Sequence, residues 1–112
     1  MNSEAVKHAK HLIKNDDYIT DTDWSASQPD ADEENKELDK QGWGEFSKWY
    51  LGIDTDSSKK TKGRWEFPYG DFKKVHRAGV IAAKQRAAQY DHTEIAQAAD
   101  ELLQILDKRE EA

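Results

Sequence analysis

Lysine, arginine, histidine and carboxylate side chains are the groups in this chain able to do chemistry, and their spacing limits what that chemistry is. Nine cations crowd residues 58–87: Lys59, Lys60, Lys62, Arg64, Lys73, Lys74, Arg77, Lys84 and Arg86, against only two acids. Such a block could neutralise phosphates, and an exposed Trp65 or Tyr69 within it could stack on bases. His8 and His11 stand one helical turn apart but lack a third ligand at fitting spacing, so no metal site is expected. Asp54, Asp56 and Ser58 open like a calcium loop, yet Lys59 stands where the loop needs glycine and Trp65 where it needs glutamate. Turn chemistry explains that stretch better. His76 lies near Asp71 and Arg77, with no nucleophile or second acid placed beside it in sequence. None of the common nucleophile, phosphate-loop, zinc or dinucleotide motifs occurs. No catalytic residue, metal or cofactor is therefore expected, and the chain does not read as an enzyme.

The block sits in the stretch "KGRWEFPYGDFKKVHRAGV", residues 62–80, where four aromatics, three glycines and a proline join five of the cations. Its charge is local. The chain as a whole carries a net charge of -6, and residues 15–57 hold thirteen acids against three lysines. Nucleic acid would meet repulsion from that remainder unless the cations form a face of their own. The bland alternative is that they pair with the acidic segments, each exposed pair adding only about 0–1 kcal/mol.

The elements that must position these groups are mostly helical. With 112 residues the chain reads as one domain, 1–112, and its 36% hydrophobic content leans on four Trp, four Tyr and three Phe. Ser3 is placed to cap a first helix to about Lys14, with Ala5, Val6, Ala9, Leu12 and Ile13 as its apolar stripe. Residues 15–30 read as a long loop pinned by Tyr18 and Trp24. Asp30 and Glu33 have capping-box spacing, which starts a helix near Ala31 or Asp32. Gly42 and Gly44 are placed to break it, after which helical spacing resumes through Phe46, Trp49 and Tyr50 to Gly52. Residues 54–63 form an exposed connection. Trp65 and Phe67 alternate as in a short strand, which Pro68 confines to an edge. Asp71 then caps a helix over residues 72–89 whose face holds Phe72, Val75, Gly79 and Ala82. Asp91 and Glu94 open a last helix, about 92–108, with Ile95, Ala98, Ala99, Leu102, Leu103 and Leu106 in register. Residues 109–112 should fray.

Around "KGRWEFPYGDF" and "VHRAGVIAAKQRA" the sequence resembles a small module found in phage and prophage proteins, sometimes beside prohead proteases. The matching positions are Lys62, Trp65, Phe67, Pro68, Val75, Ala78, Gly79, Ala82, Ala83 and Arg86, with Asp23 and Trp24 upstream. The likeness covers about residues 60–108. The module's glycine-rich stretch after the alanine-rich helix is replaced here by "RAAQYDHTE", and the protease part is absent, so no protease activity is implied. What the resemblance implies is a compact accessory module.

The expected architecture is a mainly α, small helical domain of about four helices with a short extended segment at residues 64–67. Trp65, Phe67, Pro68, Asp71 and Phe72 should be structural anchors, with the rings docked onto the last helix pair. Trp65→Ala should then cost about 3–5 kcal/mol. With no cysteine, no apolar run of about 20 residues and no long apolar stretch near the start, a cytoplasmic protein outside the membrane is expected. The function expected is a non-enzymatic module that meets a protein partner; the alternative is a nucleic-acid binder using the basic block.

Overall fold

The computed structural model describes residues 1–111. Five helices and two minimal sheets follow one another as α1 (Ser3–Lys14), β1 (Tyr18–Ile19), α2 (Trp24–Ser27), α3 (Ala31–Ser47), β2 (Tyr50–Ile53), β3 (Trp65–Pro68), β4 (Val75–His76), α4 (Arg77–Gln89) and α5 (Thr93–Glu111). The mainly helical class expected from the sequence is the one observed. In place of a single extended segment there are two strand pairs. β1 runs parallel to β4, with Tyr18 opposite Val75, and β2 runs antiparallel to β3, with Gly52 opposite Glu66.

The helices with clear periodicity form where expected. α1 buries Ala5, Val6, Ala9, Leu12 and Ile13, and α5 buries Ile95, Ala98, Ala99, Leu102 and Leu106. α4 and α5 make the most extensive contact between elements, as the short turn between them requires. The cap of α1 is Asn2 rather than Ser3, and its side chain is spent on the strand behind it. Its Nδ2 donates to the carbonyls of Ser47 (2.8 Å) and Tyr50 (2.9 Å), and its backbone N–H donates to Leu51 (2.8 Å). Asp30 caps α3 with the reciprocal box intact, the Glu33 N–H donating to its carboxylate at 2.9 Å. Gly42, at φ 77°, kinks that helix.

Five expectations need correction. Helical spacing beyond Phe46 is misleading: Tyr50, Leu51 and Gly52 are all buried in β2, because that strand lies between β3 and α1. Residues 72–76 are not helical. Phe72 has φ 68°, Val75 and His76 pair with β1, and α4 begins only at Arg77. Asp71 therefore caps a turn and not α4, accepting from the backbone N–H groups of Lys73 (3.0 Å) and Lys74 (2.7 Å). Residues 15–30 contain β1 and the single turn of α2, and α5 continues to Glu111, where fraying was expected from 109. Arg109 there pairs with Asp16; Ala112 lies outside the described residues.

The core is aromatic at its centre. Phe46 and Tyr69 are fully buried, and Trp49 stacks on Tyr69 with centroids 5.6 Å apart. Phe72 joins this cluster, 5.5 Å from Phe46 and 6.0 Å from Trp49, so it docks away from the last helix pair. Phe67 does reach α5: its ring lies 5.4 Å from that of His92, just before the helix. Phe67 and Phe72 both hold left-handed backbone, at φ 63° and 68°. For bulky residues this costs of order 1–3 kcal/mol each and persists only because packing dictates it.

Candidate functional site

Four of the nine cations are engaged within the chain. Arg77 Nε donates to Asp107 at 3.0 Å and Lys84 Nζ to Asp100 at 2.7 Å, so both are tied to α5. Lys62 lies 3.6 Å from Glu34, a carboxylate that also accepts from the Tyr50 hydroxyl at 2.9 Å. Burial, followed by the Glu34 charge and hydrogen bond, drives the Tyr50 phenol far above its usual range. Arg64 donates to the Ser57 carbonyl at 2.9 Å and lies 5.4 Å from the centre of the Trp65 ring. That leaves Lys59, Lys60, Lys73, Lys74 and Arg86 exposed and without a carboxylate partner among the described residues. The five come from the connection after β2, the turn before β4 and the far half of α4. Trp65 and Tyr69, the rings proposed for base stacking, are spoken for. Tyr69 is fully buried with its hydroxyl donating to Lys48 O at 2.8 Å, and Trp65 packs half-covered against the core.

His76 is a buried imidazole, 3% exposed. Its Nδ1 is 2.9 Å from the Thr22 hydroxyl and its Nε2 is 3.0 Å from Asp71 Oδ2. The second contact is a close charge approach that lacks the alignment of a directed hydrogen bond, which leaves Nε2 without a well-aimed acceptor. Burial by itself would raise the Asp71 carboxyl; the His76 contact and the Lys74 and Lys73 N–H groups outweigh it and hold that carboxyl below its ordinary value. Hydroxyl, imidazole and carboxylate in a line suggest a proton relay. Yet the ring is covered by Trp24, 5.6 Å away, and His76 lines neither the concavity along α4 nor the one at the start of α5. The arrangement works as a clasp: it fastens residues 22–24 to β4 and to the start of α4. Gly79 makes this possible, since a Cβ there would meet Trp24 and the Tyr69 carbonyl at 2.8 Å.

A concavity lies farther along α4. A groove of about 870 Å³ runs between β3 and the outer face of that helix. Phe67, Pro68, Ala82 and Ala83 are the more covered part of its lining and form its floor, with Trp24, Gln28, Tyr90 and His92 around them. Gln85, Arg86, Gln89 and Glu66 supply its polar edge. Tyr90 is 57% exposed and, with Met1, one of two large hydrophobic residues left in water among the described residues. Small side chains on α4 create the space, because alanine at 82 and 83 keeps the helix surface low beside the strand. Of the anchors expected from sequence, Phe67 and Pro68 thus double as groove floor, and of the basic block only Arg86 borders it. Sequence reasoning missed Gln28, Gln85, Gln89, Tyr90 and His92. The available hint was the polar run "QRAAQY" on the solvent side of an alanine-rich helix.

Among the described residues no three His, Cys, Asp or Glu are grouped to hold a metal, and no helix is long and apolar enough to cross a membrane. Compared with protein-family models, with curated proteins and with solved structures, the chain matches none of them.

Proposed function

We propose that this protein is a non-enzymatic accessory module that meets a protein partner through the groove between β3 and α4. The observation that carries the reading is the exposed Tyr90 ring at the end of a concavity with an apolar floor and an amide-rich edge. Its volume falls in the range of ordinary ligand sites, and aromatic rings with one wet end are favoured at interfaces. The titratable cluster at His76 is enclosed, which favours a structural role for it over catalysis. A cytoplasmic setting fits a chain without cysteine. An origin in a phage or prophage rests on the resemblance at Lys62, Trp65, Phe67 and Pro68 and belongs to the same proposal.

The test is a substitution that fills the groove without touching the core. Ala82→Arg should abolish binding of peptides selected on the wild-type protein while the melting temperature stays within about 2 °C. Selection that proceeds equally well on both proteins would sink the reading.

Nucleic acid is the second reading, carried by Lys59, Lys60, Lys73 and Lys74, all exposed without carboxylate partners among the described residues. It requires affinity for random DNA that falls steeply with salt and vanishes in Lys73→Glu/Lys74→Glu. No binding at low salt removes it.

A further inference from the structure

We infer that the occupant of the groove is an extended peptide segment of a protein partner, carrying an aspartate or glutamate that docks on Arg86. This rests on the groove being the docking surface.

Two features of the groove select an extended chain. Gln28, Gln85 and Gln89 place three carboxamides along it, each able to donate and to accept, as a peptide main chain requires on alternate groups. Among the described residues β3 pairs only with β2, so one edge of a strand that contributes Glu66, Phe67 and Pro68 to the lining carries no partner strand there. Peptides commonly add to such an edge by main-chain bonding, while pockets beneath read alternate side chains. Pro68 lacks an N–H and limits that pairing to a short stretch, which leaves the amides of α4 to supply the rest. The apolar floor of Phe67, Ala82 and Ala83, with Trp24 beside it, suits one aliphatic or aromatic side chain of the occupant.

Charge selects the acid. α4 carries three cations. Arg77 and Lys84 are each neutralised by a carboxylate of α5, at 3.0 Å and 2.7 Å. Arg86, on the same helix, has no carboxylate within ion-pair distance among the described residues, is exposed, and borders the groove. Its guanidinium presents a planar fork that matches a carboxylate with two parallel hydrogen bonds. Glu66, contributed to the lining by β3, disfavours a second acid beside the strand. The recognised segment therefore has one acidic residue toward α4 and an apolar residue toward the floor.

The experiment uses the full chain as bait for a random dodecapeptide display library, with Ala82→Arg as the parallel bait. Peptides enriched only on wild type are synthesised with a fluorophore and titrated against wild type, Arg86→Gln and Arg86→Glu, each checked for an unchanged melt. The expected result is a shared acidic position next to an apolar one. Affinity should fall about tenfold or more in Arg86→Glu, because like charges across an interface repel, and recover when the acid of the peptide becomes lysine. Peptides that need the open groove but ignore Arg86→Glu would overturn the carboxylate assignment and leave groove docking standing. No enrichment over Ala82→Arg would overturn both. Concentration-dependent dimerisation of the protein alone, abolished by Ala82→Arg, would replace the partner with a second copy of this chain. Enrichment with no acidic position would likewise defeat the proposal.

Discussion

The two ends of α4 follow opposite rules. At its start, Gly79 lets the Trp24 ring and the Tyr69 carbonyl approach closer than any side chain would allow, and His76 is gripped from both sides. Farther along, Ala82 and Ala83 leave space that nothing in the described chain fills, edged by Gln85, Arg86 and Gln89. The same small residues that give close packing at one end give a trough at the other. What decides is how closely another element approaches: Trp24 packs onto Gly79, whereas β3 and Gln28 only border the groove at Ala82 and Ala83. The difference separates where the molecule keeps its stability from where it offers contact, and substitutions at the two ends should divide accordingly.

Tyr69→Ala should do the most damage. The ring is fully buried, stacks on Trp49, and carries a hydroxyl bonded to the Lys48 carbonyl. Its loss leaves a cavity and should cost about 3–5 kcal/mol, a large share of what holds a small domain folded. A denaturant melt checks it, and Trp65→Ala in the same series should cost clearly less. The sequence makes Trp65 the obvious anchor, but its ring is only half-covered and its buried Nε1 finds no acceptor. The principal ring is its neighbour four positions on. Gly79→Ala should come next, at about 1–3 kcal/mol, since the added methyl meets backbone as well as the indole. It should also weaken any groove ligand by displacing Trp24, whereas Tyr69→Ala should act on binding only through unfolding.

The clasp sets a third, smaller effect with a pH signature. Asp71 is held below its ordinary value in the folded protein, so its contribution is fully present above the unfolded value of 3.8 and is lost as pH falls through and below it. Wild type should therefore lose melting temperature on acidification more steeply than Asp71→Asn, with the two curves converging at low pH. Near neutrality the variant should be less stable by about 1 kcal/mol. Parallel curves from pH 7 down to 3 would show that the His76–Asp71 approach contributes nothing, and would reduce the clasp to the Thr22 bond and the Trp24 contact.

Local patterns in the sequence were enough for α1, α5 and the start of α3, because periodic apolar residues and the Asp30–Glu33 box act within a few residues of one another. They were insufficient where pairing is distant. Val75 and His76 are extended because Tyr18 and Ile19 lie beside them, 57 residues away in sequence. Tyr50 and Leu51 leave the helical run because Asn2 and β3 claim them. Thr22, the hydroxyl missing from any sequence reading of His76, is 54 residues upstream. The groove is illegible for the same reason: its lining comes from residues 24–28, 66–68 and 82–92, three stretches with no shared pattern. Within the basic block, Lys62, Arg77 and Lys84 are taken by carboxylates of α3 and α5 that no local pattern in the block announces.

The smallest effect on stability is also the sharpest test of the contrast. Gln85, Arg86, Gln89 and Tyr90 are exposed, and none is among the residues that make a side-chain bond within the described chain. Gln85→Ala, Arg86→Gln and Tyr90→Ser should each shift stability by no more than about 0.5 kcal/mol, as surface changes away from packed features do. Gln85→Ala can even stabilise slightly, because alanine is the better helix former. Arg86 and Tyr90 are four positions apart, the spacing at which side chains on a helix meet, so the double variant Arg86→Gln/Tyr90→Ser belongs in the same melt. If its loss merely adds those of the singles and stays under about 1 kcal/mol, the open end of α4 holds nothing together. Its aromatic and cationic side chains then owe their places to something outside the fold. A loss of several kcal/mol would instead mean that these side chains brace α4 against α5, and the division between the two ends of the helix would collapse.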